Sequence, residues 1–394
     1  EQQQGRIRRL LRQVAPGLDA FSRYQVSWLS SDIAAGLSVA AVALPVGIAY
    51  ADLAHVPPVV GIYAAIFPLF AYALFGSSRQ LMIGPDAATC LMLAAALGPL
   101  AGGDAEHYRA LVIVMTLIVG LIYVVMGVAR LGFTASFLSR PILVGYLNGI
   151  ALLIIVGQLG KLLGVSVAAS DFFPKLLETF AKIDDAHLLT VSLGIAVLIG
   201  LVALRRFVPW VPAALVVVVV GIGLSAALNL QQLGVSVVGS VPAGLPEFFH
   251  IPILPVGDYP TLVRDAAGLA LVSFTSGILT AKSFAQRNRY EVDPDRELIG
   301  FGAGNIVSGL AQGFPVTGAA SRTAVNDAMG GKSQMVGVVA GGVMLLSLFF
   351  LTEPLAYVPN AALAAVIVVA AVGLFDFATL RELFAMSRVE LGFS

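Results

Sequence analysis

Residues 309–331 read GLAQGFPVTGAASRTAVNDAMGG, a stretch too broken by glycine and proline for an ordinary membrane span and too apolar for a surface loop. Pro315 has no backbone N–H to donate. The small residues behind it, Thr317, Gly318, Ala319, Ala320 and Ser321, can start a short helix partway across a bilayer. Such a half-helix aims free N–H groups, and the partial positive charge they carry, at a point near the midplane where an anion is favoured. Arg322 is expected one to two turns into this helix. An ionised side chain there is costly unless it lines a cavity or meets a counter-charge. It is read either as the positive field of an anion site or as an anchor that snorkels to the cytoplasmic surface.

Residues 79–98, RQLMIGPDAATCLMLAAALG, have the same build: an extended run ends in Pro85 and passes into small residues that begin a short apolar helix. Two interrupted hydrophobic segments at corresponding places in two halves point to an inverted-repeat transporter and to its binding site. Asp86 then has two readings. It can cap the helix that follows, or it can take up a proton when an anion arrives, because two negative groups in a low-dielectric pocket oppose each other.

Composition fits that frame, with 58% hydrophobic and 12% charged residues against roughly 25% charged in ordinary soluble domains. The formal net charge is zero, so no nucleic-acid partner is indicated. The only cysteine, Cys90, excludes an internal disulfide, and the four histidines show no metal spacing. No Ser/His/Asp or HExxH arrangement appears, so no enzyme is expected, and no cofactor or metal.

Apolar runs of about 20 residues fall near 33–53, 59–75, 80–99 (broken), 108–129, 141–160, 187–204, 211–228, 264–282, 298–312, 313–329 (broken), 335–352 and 359–375. The arginine-rich residues 1–31 form an expected cytoplasmic arm. With that end inside and each span crossing once, only Arg109, Lys161, Lys175, Lys182 and Arg264 fall outside. Every other basic residue except Arg322 falls inside, and this bias supports the orientation. The connector Lys282–Glu297 reads as a solvated loop, Asp32 as a helix-end or loop-pairing residue, and 376–394 as an interfacial helix.

Residues 32–93 (DIAAGLSVAAVALPVGIAYADLAHVPPVVGIYAAIFPLFAYALFGSSRQLMIGPDAATCLML) resemble the signature region of the sulfate permease family of anion transporters. Residues 137–163 and 300–333 resemble later blocks of the same family in the same order. The resemblance implies an all-α polytopic membrane protein with an inverted 7+7 repeat, broken third and tenth spans, and usually a cytoplasmic STAS domain. The last two spans and the STAS domain are expected to be missing here. Core (transport) parts are expected near 32–160 and 264–375, and gate (scaffold) parts near 161–263 and 376–394.

Carried over by position, the resemblance implies an anion held by Pro45, Val46 and Tyr50 of the first span, by Gly84, Pro85, Asp86 and Ala87 of the third, and by Phe314, Pro315, Val316, Thr317, Gly318, Ser321 and Arg322 of the tenth. In the eighth span it points to residues 273–276, with Ser276 the candidate. The family often has glutamine where this chain has Val46, which favours a roomier site and a small dicarboxylate such as fumarate beside sulfate and bicarbonate. The expected function is proton-coupled symport of a small inorganic or organic anion by alternating access in the inner cell membrane. The expected partners are that anion, a proton, the lipid bilayer and a second copy of the chain. A nucleobase:proton symporter of the same fold and an anion channel are the alternatives.

Overall fold

A computed structural model describes residues 16–133, 140–167, 169, 172–208, 211–240, 242–350, 352–373 and 375. The arm before residue 16 and the expected interfacial helix at 376–394 lie outside the described residues. The elements in order are α1 (Pro16–Ser22), α2 (Leu29–Leu53), α3 (Pro58–Phe75), β1 (Ile83–Gly84), α4 (Ala87–Ala101), α5 (Ala105–Val128), α6 (Arg140–Leu163), α7 (Phe172–Ala181), α8 (Leu188–Phe207), α9 (Ala213–Leu228), α10 (Tyr259–Arg287), α11 (Pro294–Leu310), β2 (Thr317–Gly318), α12 (Ala320–Ala328), α13 (Met335–Phe350) and α14 (Asn360–Val372). Five helices, or helix runs, among the described residues are long and apolar enough to cross a membrane: Val26–Leu53, α3, α5, α8 and Val256–Arg287.

The chain divides into two units, one of residues 1–137 and 244–349 and the other of 138–243 and 350–394. In the first unit, helix, helix, strand plus half-helix, and helix (α2 to α5) recur in the same order as α10 to α13. In the second, α14 packs against α6, α8 and α9. The sequence reading put spans 141–160 and 359–375 with the core half. In the structure α6 and α14 pack against each other and both fall in the second unit.

Lipid tails are as apolar as leucine, so helices in a bilayer hold together by close packing and internal polar contacts rather than by escape from water. The first unit shows both. Tyr72, Tyr123, Phe274 and Phe301, all fully buried, form one aromatic cluster from α3, α5, α10 and α11, with ring centroids 6.0–6.2 Å apart. The Tyr123 hydroxyl donates to the Ala270 carbonyl at 3.0 Å. Asp32, fully buried in the first turn of α2, accepts from the Lys332 N–H and the Ser333 hydroxyl, both at 2.7 Å. It therefore pairs a loop, as its position suggested.

The connector after the eighth span is shorter than the sequence reading had it. α10 runs on to Arg287, α11 begins at Pro294, and Glu297 is buried within α11. The loop between them also reaches inward. The Tyr290 hydroxyl accepts from the Arg79 N–H at 3.1 Å and shares a 2.9 Å bond with the Ser78 hydroxyl, while the Arg79 guanidinium lies 5.4 Å over the Tyr290 ring. Burial raises the Tyr290 hydroxyl above its ordinary range.

Candidate functional site

The two broken segments meet. β1 and β2 pair antiparallel, with Ile83 opposite Gly318 and Gly84 opposite Thr317. Each strand leads within one or two residues into its half-helix, β1 into α4 and β2 into α12. Because the strands run in opposite directions, the two helix N-termini approach the same place from opposite sides. α2 packs against both half-helices, and α10 against both half-helices and β2.

Extended backbone at membrane depth must find all its hydrogen bonds inside the protein. Asn305 of α11 acts as a strand partner for Val316: its Oδ1 accepts the Val316 N–H and its Nδ2 donates to the Val316 carbonyl, both at 2.9 Å. The Ser308 hydroxyl donates to the Phe314 carbonyl at 2.7 Å. On the other strand, the Met82 N–H is taken by the Thr323 hydroxyl at 3.0 Å, and the Met82 carbonyl accepts from Ala319 N–H at 2.9 Å. Asn326 Nδ2 donates to the Gln80 carbonyl at 2.8 Å, and Gln334 Nε2 serves the carbonyls of Ser78 and Leu81 at 2.8 and 2.9 Å. The paired strands are thus held by each other and by amide and hydroxyl side chains of α11, α12 and Gln334 just before α13.

The two helix beginnings differ. α4 is capped by Asp86, whose carboxylate accepts the Ala88 N–H at 3.2 Å. At the head of α12 stands Ala319, with no capping side chain, although alanine there costs about 0.5–2 kcal/mol relative to Ser, Asp or Asn. The helix starts at Ala320 rather than among the residues from Thr317, so Arg322 is its third residue, in the first turn. A cation at this end opposes the helix dipole. Uncapped N–H groups and a misplaced cation both raise the energy of α12 alone, and both are relieved by an anion.

Arg322 is 2% exposed. One Nη donates to the Pro85 carbonyl, joining the two half-helices, while Nε and the other Nη have no protein partner. Gly84 lies beside this group with φ +152°, and a Cβ there would stand 3.1 Å from the guanidinium carbon and both Nη atoms. Any side chain at 84 would crowd the arginine as well as strain the backbone. Asp86, Tyr50 and Cys90 are within electrostatic range of Arg322, and Asp86 is partly accessible. One acidic and one basic side chain therefore stand at the two helix beginnings.

The remaining predicted residues fall around this point. Pro45, Val46 and Tyr50 lie on α2, all buried, with Val46 and Tyr50 one helical turn apart on one face. Ala87 begins α4; Phe314, Pro315 and Val316 form the buried approach to β2; Thr317 and Gly318 are β2; and Ser321, exposed, is the second residue of α12. On α10, Ser273 bonds to both broken segments, and the Ser276 carbonyl accepts the Thr280 hydroxyl at 3.0 Å. The Ser273 hydroxyl meets Thr89 of α4 at 3.1 Å and its carbonyl accepts the Thr317 hydroxyl at 2.7 Å, while Ser276 sits one turn on and partly exposed. Gly277 lets α10 approach β2 closely, since a Cβ there would stand 2.8 Å from the Thr317 hydroxyl. The sequence reading missed Asn305, Ser308, Thr89 and Gln334. The signal it could have used is a polar side chain inside an otherwise apolar run.

Known proteins resemble this chain in sequence and in fold. Residues 29–393 match the Sulfate permease family. The chain is 44% identical over 377 residues to "Probable sulfate transporter" of Mycobacterium tuberculosis, covering 96% of this chain and 67% of the relative. It is 34% identical over 353 residues to "Sulfate transporter 4.1, chloroplastic" of Arabidopsis thaliana, covering 88% and 51%. To human "Solute carrier family 26 member 6" it is 33% identical over 409 residues, covering 97% and 53%. It thus spans about half the length of the plant and human relatives. Among solved structures, SLC26A9 superposes with a TM-score of 0.89 at 22% identity, over 100% of this chain and 65% of that one. The transmembrane domain of the cyanobacterium bicarbonate transporter BicA does so with 0.84 at 23% identity, over 93% and 94%. Those identities speak for the fold, an all-α membrane domain with two broken segments, while the family match and the closer relatives speak for more. The chain belongs to the sulfate permease family, whose members are membrane anion transporters and not enzymes.

Proposed function

We propose that this protein is a secondary active carrier that holds one small anion between the N-termini of α4 and α12 and opens that seat to each side of the membrane in turn. The observation that carries the reading is the uncapped start of α12 with Arg322 in its first turn, two of whose nitrogens have no protein partner. Sulfate is the first candidate, on the strength of the relatives' names; bicarbonate and a small dicarboxylate follow. The reading includes the inner cell membrane, a cytoplasmic N-terminus and pairing with a second copy of the chain. The charge bias of the loops supports the orientation. A radiolabelled panel of sulfate, bicarbonate and fumarate in proteoliposomes tests it. Saturable uptake with counterflow is expected; large unitary currents without saturation would mean a channel.

Proton coupling is part of the same proposal, and Asp86 is its group. The carboxylate caps α4, is partly accessible, and lies within range of Arg322, so an arriving anion brings a second negative charge beside it. Asp86→Asn keeps an acceptor for the Ala88 N–H but cannot take up a proton. Uptake by this variant is expected to lose its dependence on an imposed pH gradient while binding persists. Full dependence in the variant would remove Asp86 from the coupling.

A further inference from the structure

α7 and the 3₁₀ turn Ile183–Asp185 after it link α6 to α8. Phe173, Leu177 and Phe180 share one face of α7 at helical spacing and are 71%, 70% and 59% exposed; Ile183 continues the stripe. The polar residues serve the protein instead. Glu178 accepts the Ala169 N–H and the Lys182 ammonium, each at 2.8 Å; Lys182 also donates to the Ser166 carbonyl at 2.7 Å, and Thr179 is buried. At an aqueous surface the order is the reverse, with apolar residues inward and charges outward.

Helices α6 and α8 are successive spans, so the segment between them lies at one face of the bilayer. The outward apolar stripe also continues beyond α7. Leu188, Ile195, Ile199 and Val202 of α8 are exposed at helical spacing, the pattern of a span's lipid side. Asp184 and Asp185 are exposed at the end of the segment, where charged groups need water or headgroups. We propose that α7 is an interfacial helix, lying in the leaflet where α6 ends and α8 begins, with Phe173, Leu177 and Phe180 among the acyl chains just beneath the headgroups. The occupant of this face is lipid because the exposed apolar stripe runs on in sequence, through Ile183, to the exposed Leu188 that opens the membrane-spanning α8.

The test uses the whole chain with Cys90→Ala as background. A nitroxide is attached in turn through Leu177→Cys, Phe180→Cys and Asp185→Cys, and each protein is placed in phosphatidylcholine vesicles. Collision with oxygen and with a water-soluble nickel chelate gives the depth. At 177 and 180 oxygen is expected to dominate, at a depth of roughly 5–10 Å below the phosphates, and at 185 the chelate. Chelate-dominated collisions at 177 and 180 would place the helix in water and overturn the proposal. Immobile labels reached by neither reagent would also overturn it, by showing protein, such as a second copy, over this face. Positions 177 and 180 are independent, so one variant that fails to fold leaves the other as the measurement.

Discussion

Arg322→Gln is expected to raise the KM for anion uptake by about 10- to 100-fold, the equivalent of about 1.5–3 kcal/mol for a hydrogen bond to a charged group. The side chain does two things at once: one Nη holds the Pro85 carbonyl across the strand pair, and the remaining nitrogens face no protein acceptor. Glutamine can keep the first contact and has no charge for the second. If the arginine were only a brace, Arg322→Gln would lower stability and leave KM alone.

Arg322→Lys separates charge from geometry. An ammonium restores the charge but is a point donor on a flexible stem, and it cannot hold Pro85 and also present a planar pair of N–H groups to a ligand. Expected uptake is intermediate, with KM nearer to that of Arg322→Gln. Wild-type KM in the lysine variant would show that field strength alone binds the anion. A normal KM in both variants would remove Arg322 from the site. Thermal midpoints in detergent, measured in parallel, exclude unfolding as the cause of lost uptake.

Much of this could be read along the chain, for a physical reason. Spans announce themselves as long apolar runs, and a proline followed by small residues marks a broken one, so the segments around Pro85 and Pro315 stood out. The start of α12 did not. Thr317 and Gly318 have the size to open a helix, yet they pair with Gly84 and Ile83. That pairing joins residues far apart in sequence and leaves no local trace. It displaces the helix to Ala320 and moves Arg322 from its interior to its first turn, which changes the electrostatic meaning of the arginine.

Division of the spans was hidden for a similar reason. α6 and α14 are apolar helices like their neighbours, and only packing against each other assigns them to the second unit. Pattern reveals which segments are buried in lipid and where they break. It does not reveal which apolar face meets which.

Glu297→Leu is expected to destabilise the protein by about 3 kcal/mol or more, because each buried donor left without a partner costs about 1–3 kcal/mol. Glu297 is fully buried and accepts the Tyr72 hydroxyl at 2.5 Å, the Ser77 hydroxyl at 2.6 Å, and the N–H groups of Ser77 and Ser78 at 2.9 Å each. An ionised carboxylate only accepts, so four donors suit it, and its place in the first turn of α11 adds the favourable end of a helix dipole. Leucine fills the space and abandons the donors, of which only the hydroxyls can rotate away. Ser77 and Ser78 lead directly toward β1, so the loss also loosens the strand pair beside Arg322. Glu297→Gln discriminates further. Its amide offers one acceptor oxygen and turns an NH₂ toward donors, so its thermal midpoint in detergent should fall between wild type and Glu297→Leu, with Tyr72→Phe costing less in the glutamine background than in the wild type. A glutamine variant as stable as the wild type would mean that a neutral group suffices there, and the charged clamp would have to be given up.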